Sequence, residues 1–190
     1  KEHAAAMAAA IKRGERGSVA RLNQVESSKT THVAVVDAAG NAVSMTHSLG
    51  MPSGVITNGL GFMYNGCMGV FDPRPGNADS LAPGKSRFSS LCPTIVFEDD
   101  KPCLVVGAPG GTQIAMGILQ SILNVIDHDM DMQQAVSAPR FSATSSAIDV
   151  SNRIPMDTTL PLEQAGYEVR RSPQSFAFSL VHGIQIRDGK

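Results

Sequence analysis

A threonine stands where the chain changes from polar to β-forming residues. Residues 13–29 are polar and charged, and from Thr30 the sequence reads Thr-Thr-His-Val-Ala-Val-Val-Asp. A threonine hydroxyl is a poor nucleophile unless a base takes its proton, and the α-amine of an N-terminal threonine is one such base. Cleavage between Lys29 and Thr30 would create that amine at the start of a rigid strand. Taken alone, a Thr-Thr pair that opens a strand more often reflects β-propensity than catalysis.

Two adjacent glycines separate a predicted strand from a predicted helix, in the run Ala-Pro-Gly-Gly-Thr at 108–112. Glycine lets backbone N–H groups approach a ligand closely, and a helix N-terminus favours negative charge. Gly110 and Gly111 are therefore a candidate oxyanion hole for acyl transfer. No Lys-Ser/Thr follows them, so the turn is not a Walker phosphate loop. A tight strand-to-helix turn is the alternative interpretation of this motif.

The serine pair Ser89 and Ser90 precedes another predicted strand and can hydrogen-bond a polar substrate or orient a catalytic group. A loop that simply enters a strand is the alternative. The five histidines have no zinc-like spacing, and the cysteines form no C-x-x-C pair, so the sequence predicts neither a metal site nor a cofactor. The sparse cysteine set, Cys67, Cys92 and Cys103, also argues against a disulfide framework and favours a reducing compartment.

The composition excludes several classes of function. The 190 residues include 16 Lys and Arg against 17 Asp and Glu, a net charge of −1, so no basic excess exists to neutralise nucleic-acid phosphates. With 42% hydrophobic and 17% charged residues, the chain is expected to fold. Its apolar stretches are shorter than the roughly 18 residues of a membrane helix. The length fits one domain, and the start at Lys1 suggests a processed piece.

Hydrophobic periodicity predicts the elements that must position these residues. A strand from Thr31 to Asp37, apolar on both faces, is expected to be covered on both sides and to form a hairpin with residues 42–47. Strands and helices in this order indicate an α+β layered domain. The further predictions are helices at 2–12, 114–126, 132–137 and 160–165, a long loop at 50–87, a hairpin at 94–106, a strand at 147–150 and a hairpin at 176–187.

Several motifs in order carry a resemblance to a known family. They are Thr-Thr-His-Val-Ala-Val-Val-Asp from Thr30, Gly-Asn-Ala-Val-Ser at 40–44, Pro-Gly at 75–76, Ser-Ser-Leu-Cys-Pro-Thr at 89–94, Gly-Ala-Pro-Gly-Gly-Thr at 107–112, Leu-Gln at 119–120 and Ala-Pro-Arg-Phe at 138–141. Together they resemble the small-subunit region of the γ-glutamyltranspeptidase family. The similarity is clear from Thr30 to Phe141 and looser onward to Lys190.

The resemblance implies a four-layer αββα sandwich of the N-terminal nucleophile hydrolase type, made as a precursor that cuts itself between Lys29 and Thr30. Residues 1–29 would then be the C-terminal helix and connector of the large subunit, and residues 30–190 the small, catalytic subunit. The large subunit from the same precursor and a small-molecule amide become the expected partners, and a dimer of heterodimers is possible. The implied roles are nucleophile for Thr30, steadying hydroxyl for Ser48, oxyanion hole for Gly110 and Gly111, and substrate contacts for Ser89 and Ser90.

Two departures from the family pattern concern the acyl group. The transpeptidases recognise the γ-glutamyl α-amino group partly with an acidic residue just before a phenylalanine, and Val70 stands there, before Phe71. A substrate-contacting asparagine of the family is replaced by Gly50. A valine cannot pair with an ammonium group, so affinity for a free γ-glutamyl group should be poor.

The resulting prediction is an amidohydrolase that acts through a Thr30 acyl-enzyme on another acyl group. Relatives of the family that cleave oxamate or cephalosporin side chains make a small α-keto or dicarboxylic monoamide a reasonable substrate. True γ-glutamyl transfer or glutathione hydrolysis is one alternative, and an uncleaved, inactive homologue that serves as a binding or structural module is the other. A cytoplasmic location is expected, with a periplasmic or secreted one left open.

Overall fold

A computed structural model describes residues 1–17, 29–176 and 178–187. Most of the connector predicted at 13–29 lies outside the described residues. The helices are α1 (Glu2–Lys12), α2 (Ile114–Ile126), α3 (Met132–Ser137) and α4 (Met156–Gln164). The strands are β1 (Thr30–Val36), β2 (Ala42–Ser48), β3 (Pro52–Ile56), β4 (Met63–Asn65), β5 (Thr94–Glu98), β6 (Lys101–Gly107), β7 (Phe141–Ser142), β8 (Ala147–Val150), β9 (Glu168–Arg171) and β10 (His182–Gln185).

A sheet of order β10–β6–β5 forms the centre of the molecule. Helices α2 and α3 pack on one of its faces, and the β1–β2 hairpin packs on the other. The apolar core lies between sheet and helices, because β6 and α2 supply most of its buried aliphatic side chains. The predicted α+β layering is confirmed. The buried core residues are Leu104, Val106, Ala108, Ile114, Ile118, Val125, Ala135 and Val181.

The β1–β2 hairpin has one buried face and one open face. Thr30 pairs with Ser48 and Val36 with Ala42 in an unbroken antiparallel register. Asp37 stabilises the turn by accepting hydrogen bonds from the backbone N–H groups of Ala39 and Asn41. The prediction that this strand is covered on both sides is wrong for the described residues. The aliphatic side chains of the outer face are between 42% and 53% exposed, namely those of Val33, Val35, Val43 and Met45.

The second hairpin and the helices after it follow the sequence closely. Asp99 and Asp100 both adopt positive φ, 48° and 62°, which gives the tight two-residue connection that suits twisted antiparallel strands. Helix α2 has the predicted bounds. The sequence places Ile118, Ile122, Leu123 and Ile126 along one side of it, but Leu123 and Ile126 are exposed and Val125 is buried. Helix α3 is also confirmed. Its N-terminus carries a capping box, a sequence signal of helix start, formed by Asp131 and the third helical residue.

Four segments differ from the prediction. The glycine- and proline-rich stretch at 50–87 contains the β3–β4 hairpin and a 3₁₀ turn, Cys67–Val70. The predicted hairpin at 176–187 is wrong for the described residues, because β10 pairs with β6 instead. The predicted strand at 147–150 is present, but it lies in a separate β7–β8–β9 sheet whose β8–β9 pair is parallel. The helix predicted at 160–165 begins earlier, at Met156.

Two features are absent from the described part of the chain. No helix there combines the length and hydrophobicity that crossing a membrane requires. Nor do three or more His, Cys, Asp or Glu side chains come together there in a way that could bind a metal ion.

Candidate active site

The hydroxyls of Thr30 and Ser48 meet at the open end of the β1–β2 hairpin. The two residues are cross-strand partners, and both side chains point to the inner face because side chains alternate along a strand. Thr30 Oγ1 lies 2.7 Å from Ser48 Oγ, and either hydroxyl can be the donor. Ser48 Oγ also accepts the backbone N–H of Gly50 at 2.9 Å. The predicted nucleophile and its predicted steadying hydroxyl are therefore in direct contact.

The peptide bond before Thr30 is held by the same hairpin. The Leu49 backbone N–H donates to the Lys29 carbonyl oxygen at 3.1 Å, which extends the ladder one residue beyond the Thr30–Ser48 pair. A hydrogen bond to a carbonyl oxygen draws electrons from its carbon and stabilises negative charge that develops on the oxygen. The predicted cleavage site is thus a fixed, polarised carbonyl next to a hydroxyl.

Gly50 is packed against a residue that sequence reasoning missed, Cys67. Gly50 has φ +64°, and a Cβ there would lie 2.9 Å from Cys67 Sγ. The Cys67 thiol donates to the Leu49 carbonyl oxygen at 3.6 Å, and the Gly66 N–H donates to the same oxygen at 3.0 Å. These contacts bring the 3₁₀ turn that ends at Val70 to the nucleophile end of the hairpin. The contact could not be predicted from motif spacing, because 16 residues separate the two partners in the sequence.

The two candidate oxyanion glycines form the turn from β6 into α2. Gly110 has φ +139° and Gly111 has φ +59°, conformations that favour glycine. A Cβ on Gly110 would lie 2.6 Å from both Cα and Cβ of Ser179, so only glycine fits beneath that segment. The Leu180 N–H donates to the Pro109 carbonyl oxygen at 3.2 Å and fixes the loop from the same side. These contacts hold the turn in place just before α2.

The serine pair lies in the extended segment that leads into β5. Ser89 is exposed and Ser90 half-buried. Ser89 Oγ accepts the N–H of Leu91 at 3.3 Å, a contact within the segment. Among the described residues, neither serine is hydrogen-bonded to the Thr30 and Ser48 hydroxyls, so their substrate-binding role stays a prediction.

Asp72, the first carboxylate after the 3₁₀ turn, is already hydrogen-bonded to neighbouring residues of its own loop. Its oxygens accept hydrogen bonds from the Arg74 guanidinium, from the Arg74 backbone N–H and from the Asn77 amide, all at 2.8–2.9 Å. The Arg74 side chain is the main cause that holds the Asp72 pKa far below its usual range. This carboxylate braces its own loop.

Comparisons with known proteins show the family to which the chain belongs. The model of a family described as Gamma-glutamyltranspeptidase matches residues 1–190. The chain is 40% identical over 157 residues to the Acylase ACY 1 proenzyme of Pseudomonas sp. (strain V22), covering 82% of this chain and 28% of that protein. It is 37% identical over 163 residues to the Glutathione hydrolase proenzyme of Bacillus subtilis subsp. natto, covering 81% and 28%. The chain therefore spans little more than a quarter of the length of these curated relatives.

A solved structure gives the same result for the fold. The structure resembles a crystal structure of a mutant gamma-glutamyltranspeptidase from Helicobacter pylori, with a TM-score of 0.75 and 35% identity, covering 83% of this chain and 91% of that one. This similarity confirms the predicted αββα fold of N-terminal nucleophile hydrolases. Of its four layers, the described residues form the two sheets and the helical layer of α2 and α3. The chain belongs to the gamma-glutamyltranspeptidase family.

Proposed function

We propose that this chain carries the catalytic part of a self-processing hydrolase that cleaves an amide through a Thr30 acyl-enzyme. The main support is the 2.7 Å contact between the Thr30 and Ser48 hydroxyls. Beside it, the Lys29 carbonyl is polarised by a hydrogen bond from the Leu49 backbone N–H. In this proposal residues 1–29 close the large subunit, and residues 30–190 form the small subunit. The proenzyme names of the relatives support a cleaved precursor.

The proposed self-processing step uses groups of this chain and water. Thr30 Oγ1 attacks the Lys29 carbonyl carbon and gives its proton to a water molecule, while Leu49 N–H stabilises the negative oxygen. The C–N bond breaks as the nitrogen takes up a proton, which leaves an ester and a free α-amine. A water molecule then cleaves the ester, releases the Lys29 carboxylate and restores the Thr30 hydroxyl. One water is consumed for each bond cut.

The mature site repeats the chemistry on an amide substrate. The Thr30 α-amine takes the hydroxyl proton as Oγ1 attacks the substrate carbonyl, and then gives a proton to the leaving amine. Ser48 Oγ accepts the Gly50 N–H, so its own O–H is available to donate to Thr30 Oγ1. The Gly110–Gly111 turn stabilises the oxyanion, and water or an acceptor amine releases the acyl group.

The surroundings of Gly50 support an acyl group without a free α-ammonium. The 3₁₀ turn against Gly50 carries no charge, because it consists of Cys67, Met68, Gly69 and Val70. Asp72 is already paired with Arg74 and Asn77, so an ammonium would have to compete with these partners for its carboxylate. A simple or dicarboxylic acyl group therefore fits better than γ-glutamyl, in line with the acylase name of one relative.

Two substrates that differ in one group test this specificity. Glutaryl-p-nitroanilide and γ-glutamyl-p-nitroanilide share chain length, carboxylate and leaving group, and only the second carries the α-amino group. The full-length protein should cut itself before Thr30, seen by intact mass and N-terminal sequencing, and should then hydrolyse the glutaryl compound with the higher kcat/KM. Val70→Asp should improve use of the γ-glutamyl compound alone, whereas the uncharged control Val70→Asn should not.

The other outcomes identify the alternatives. A preference of the unmodified enzyme for γ-glutamyl-p-nitroanilide would identify a true γ-glutamyl transpeptidase or glutathione hydrolase. A protein that stays uncut after long incubation and reacts with neither amide would be an inactive homologue, and the enzyme proposal would be wrong.

A further inference from the structure

A buried histidine lies where three strands of the two sheets meet. His32 follows Thr30 by two residues on β1, so both side chains point to the inner face. Opposite it are Gly107, the last residue of β6, and His182, the first residue of β10, which are partners in the β6–β10 ladder. His32 is 4% exposed, whereas His182 is exposed to solvent. The proposed mechanism uses neither histidine.

The His32 ring and Gly107 are complementary in size. A Cβ at Gly107 would lie 2.1 Å from Cε1, 2.3 Å from Nδ1 and 2.6 Å from Nε2 of the ring. The imidazole therefore occupies the space of a side chain at position 107, and it sets how closely β1 approaches β6. Strand β6 ends at Gly107, and the chain reaches the Gly110–Gly111 turn three residues later. The ring thus lies between the nucleophile strand and the strand that leads into the oxyanion turn.

The surroundings of His32 select its uncharged form. Nδ1 is hydrogen-bonded to Thr46 Oγ1 at 2.9 Å, and the buried Nε2 has no partner among the described residues. An imidazolium would bring a second N–H donor into a place without an acceptor. Burial, followed by the nearby His182, lowers the His32 pKa.

The faces packed around the ring hold few titratable groups. The inner face of β2 offers Ser44, Thr46 and Ser48, and β6 offers Gly107, none of which titrates near neutrality. His182 on β10 is the titratable group among the described residues that faces the ring, with ring centroids 6.4 Å apart.

We propose that the uncharged imidazole of His32 is a positioning residue, which sets the distance between Thr30 and the Gly110–Gly111 oxyanion turn. The inference rests on the proposed roles of those residues. Protein interiors are close-packed, so losing the ring or adding a methyl group at Gly107 moves one strand against the other. A displacement of about 1 Å between reacting groups can cost about 100-fold in rate.

A size-exchange cycle in the full-length protein tests this role. His32→Ala removes the ring, Gly107→Ala places a methyl where the ring was, and the double variant combines the cavity with the group that partly fills it. Each single change should lower kcat for amide hydrolysis about 10- to 100-fold and change KM less than about threefold. The kcat of the double variant should be at least about fivefold higher than the value expected if the two single losses simply multiplied. His47→Ala, on the exposed face of β2, is the matched control and should keep kcat.

Two measurements distinguish a positioning role of His32 from a role in core packing alone. Melting temperature reports packing, while the rate of Thr30 acylation by an amide-mimicking inhibitor, per folded molecule, reports alignment. If His32→Ala does not fold, His32→Asn replaces it, because its amide nitrogen can keep the bond to Thr46. Single variants that lose only stability and keep kcat would overturn the inference, and so would strictly multiplicative losses in the double variant. If the unmodified protein neither cuts itself nor hydrolyses amides, the proposed function fails, and the positioning role with it.

Discussion

The hydrogen bond from Leu49 N–H to the Lys29 carbonyl oxygen gives a prediction about self-processing alone. Leu49→Pro deletes this donor and leaves the Thr30 and Ser48 hydroxyls and the Gly50 N–H in place. Proline restricts the preceding residue to extended backbone, which Ser48 already adopts at the end of β2. At 3.1 Å the N–H is within the range of an effective oxyanion donor. Removing one such donor costs about 100- to 1,000-fold in rate, or about 2.7–4 kcal/mol of transition-state stabilisation.

The assay follows the uncut precursor by intact mass after purification and during incubation. Leu49→Pro should cut about 100-fold or more slowly than the unmodified full-length protein. Leu49→Ala is the matched control, because it removes the side chain and retains the N–H, and it should cut at the unmodified rate. In a second form of the experiment, two separate chains are co-expressed: one ends at Lys29, and the other starts at Thr30 once its initiator methionine has been removed. The two-chain protein with Leu49→Pro should hydrolyse amides at the normal rate, because in this proposal the Gly110–Gly111 turn stabilises the oxyanion of amide hydrolysis.

Two results would refute this reasoning. Normal self-cleavage of Leu49→Pro would show that the N–H does not stabilise the cleavage oxyanion. Equal loss of amide hydrolysis in the two-chain version would show that position 49 supports the whole site and has no separate role in maturation.

Three further predictions concern the surrounding contacts. Ser48→Ala removes the hydroxyl 2.7 Å from Thr30 and should slow acylation about tenfold or more, whereas Ser48→Thr should retain most of the rate. Gly50→Ala places a Cβ 2.9 Å from the Cys67 thiol at a positive φ and should destabilise by about 1 kcal/mol or more in denaturant unfolding; adding Cys67→Ala should recover part of it. The depressed pKa of Asp72 means that its stabilising contribution is complete above about pH 4 and is lost as pH falls further, so Asp72→Asn should flatten the acid limb of a melting-temperature profile.

The Thr30–Ser48 contact could be predicted from sequence because a hairpin is a local structure. A turn at Ala39 and Gly40, flanked by β-branched runs, pairs residues whose numbers add to 78, and this places Ser48 opposite Thr30. The bounds of helix α2 are equally predictable, since its strong apolar run begins after a glycine turn. The sequence does not predict which face of α2 is buried, because Ile118, Leu123 and Ile126 are all apolar and only Ile118 is buried. Only the position of the sheet decides among them.

The contacts that shape the site from a distance could not be predicted. Ser179 lies against Gly110, and Cys67 lies against Gly50, and in each pair the partners are joined by chain whose path no local pattern specifies. The final hairpin was predicted wrongly for a related reason: β10 pairs with β6, about 80 residues earlier, and not with its neighbour in sequence. Alternation of polar and apolar residues indicates a strand and leaves its partner open.

The arrangement of contacts separates reactivity from acyl recognition. In this proposal, Thr30 and Lys29 are activated by the hydroxyl of Ser48 and by the backbone N–H groups of Leu49 and Gly50, which the structure places in hydrogen-bonding contact. The side chains that face the acyl group, in this proposal, belong to the turn from Cys67 to Val70, which contacts the chain just after the hairpin at Leu49 and Gly50. A side chain in that turn can therefore change without breaking a hydrogen bond of the nucleophile. Substitutions at Val70 should accordingly alter kcat/KM among acyl groups and leave the rate of self-cleavage unchanged, and a variant that loses both together would show that the two functions share this turn.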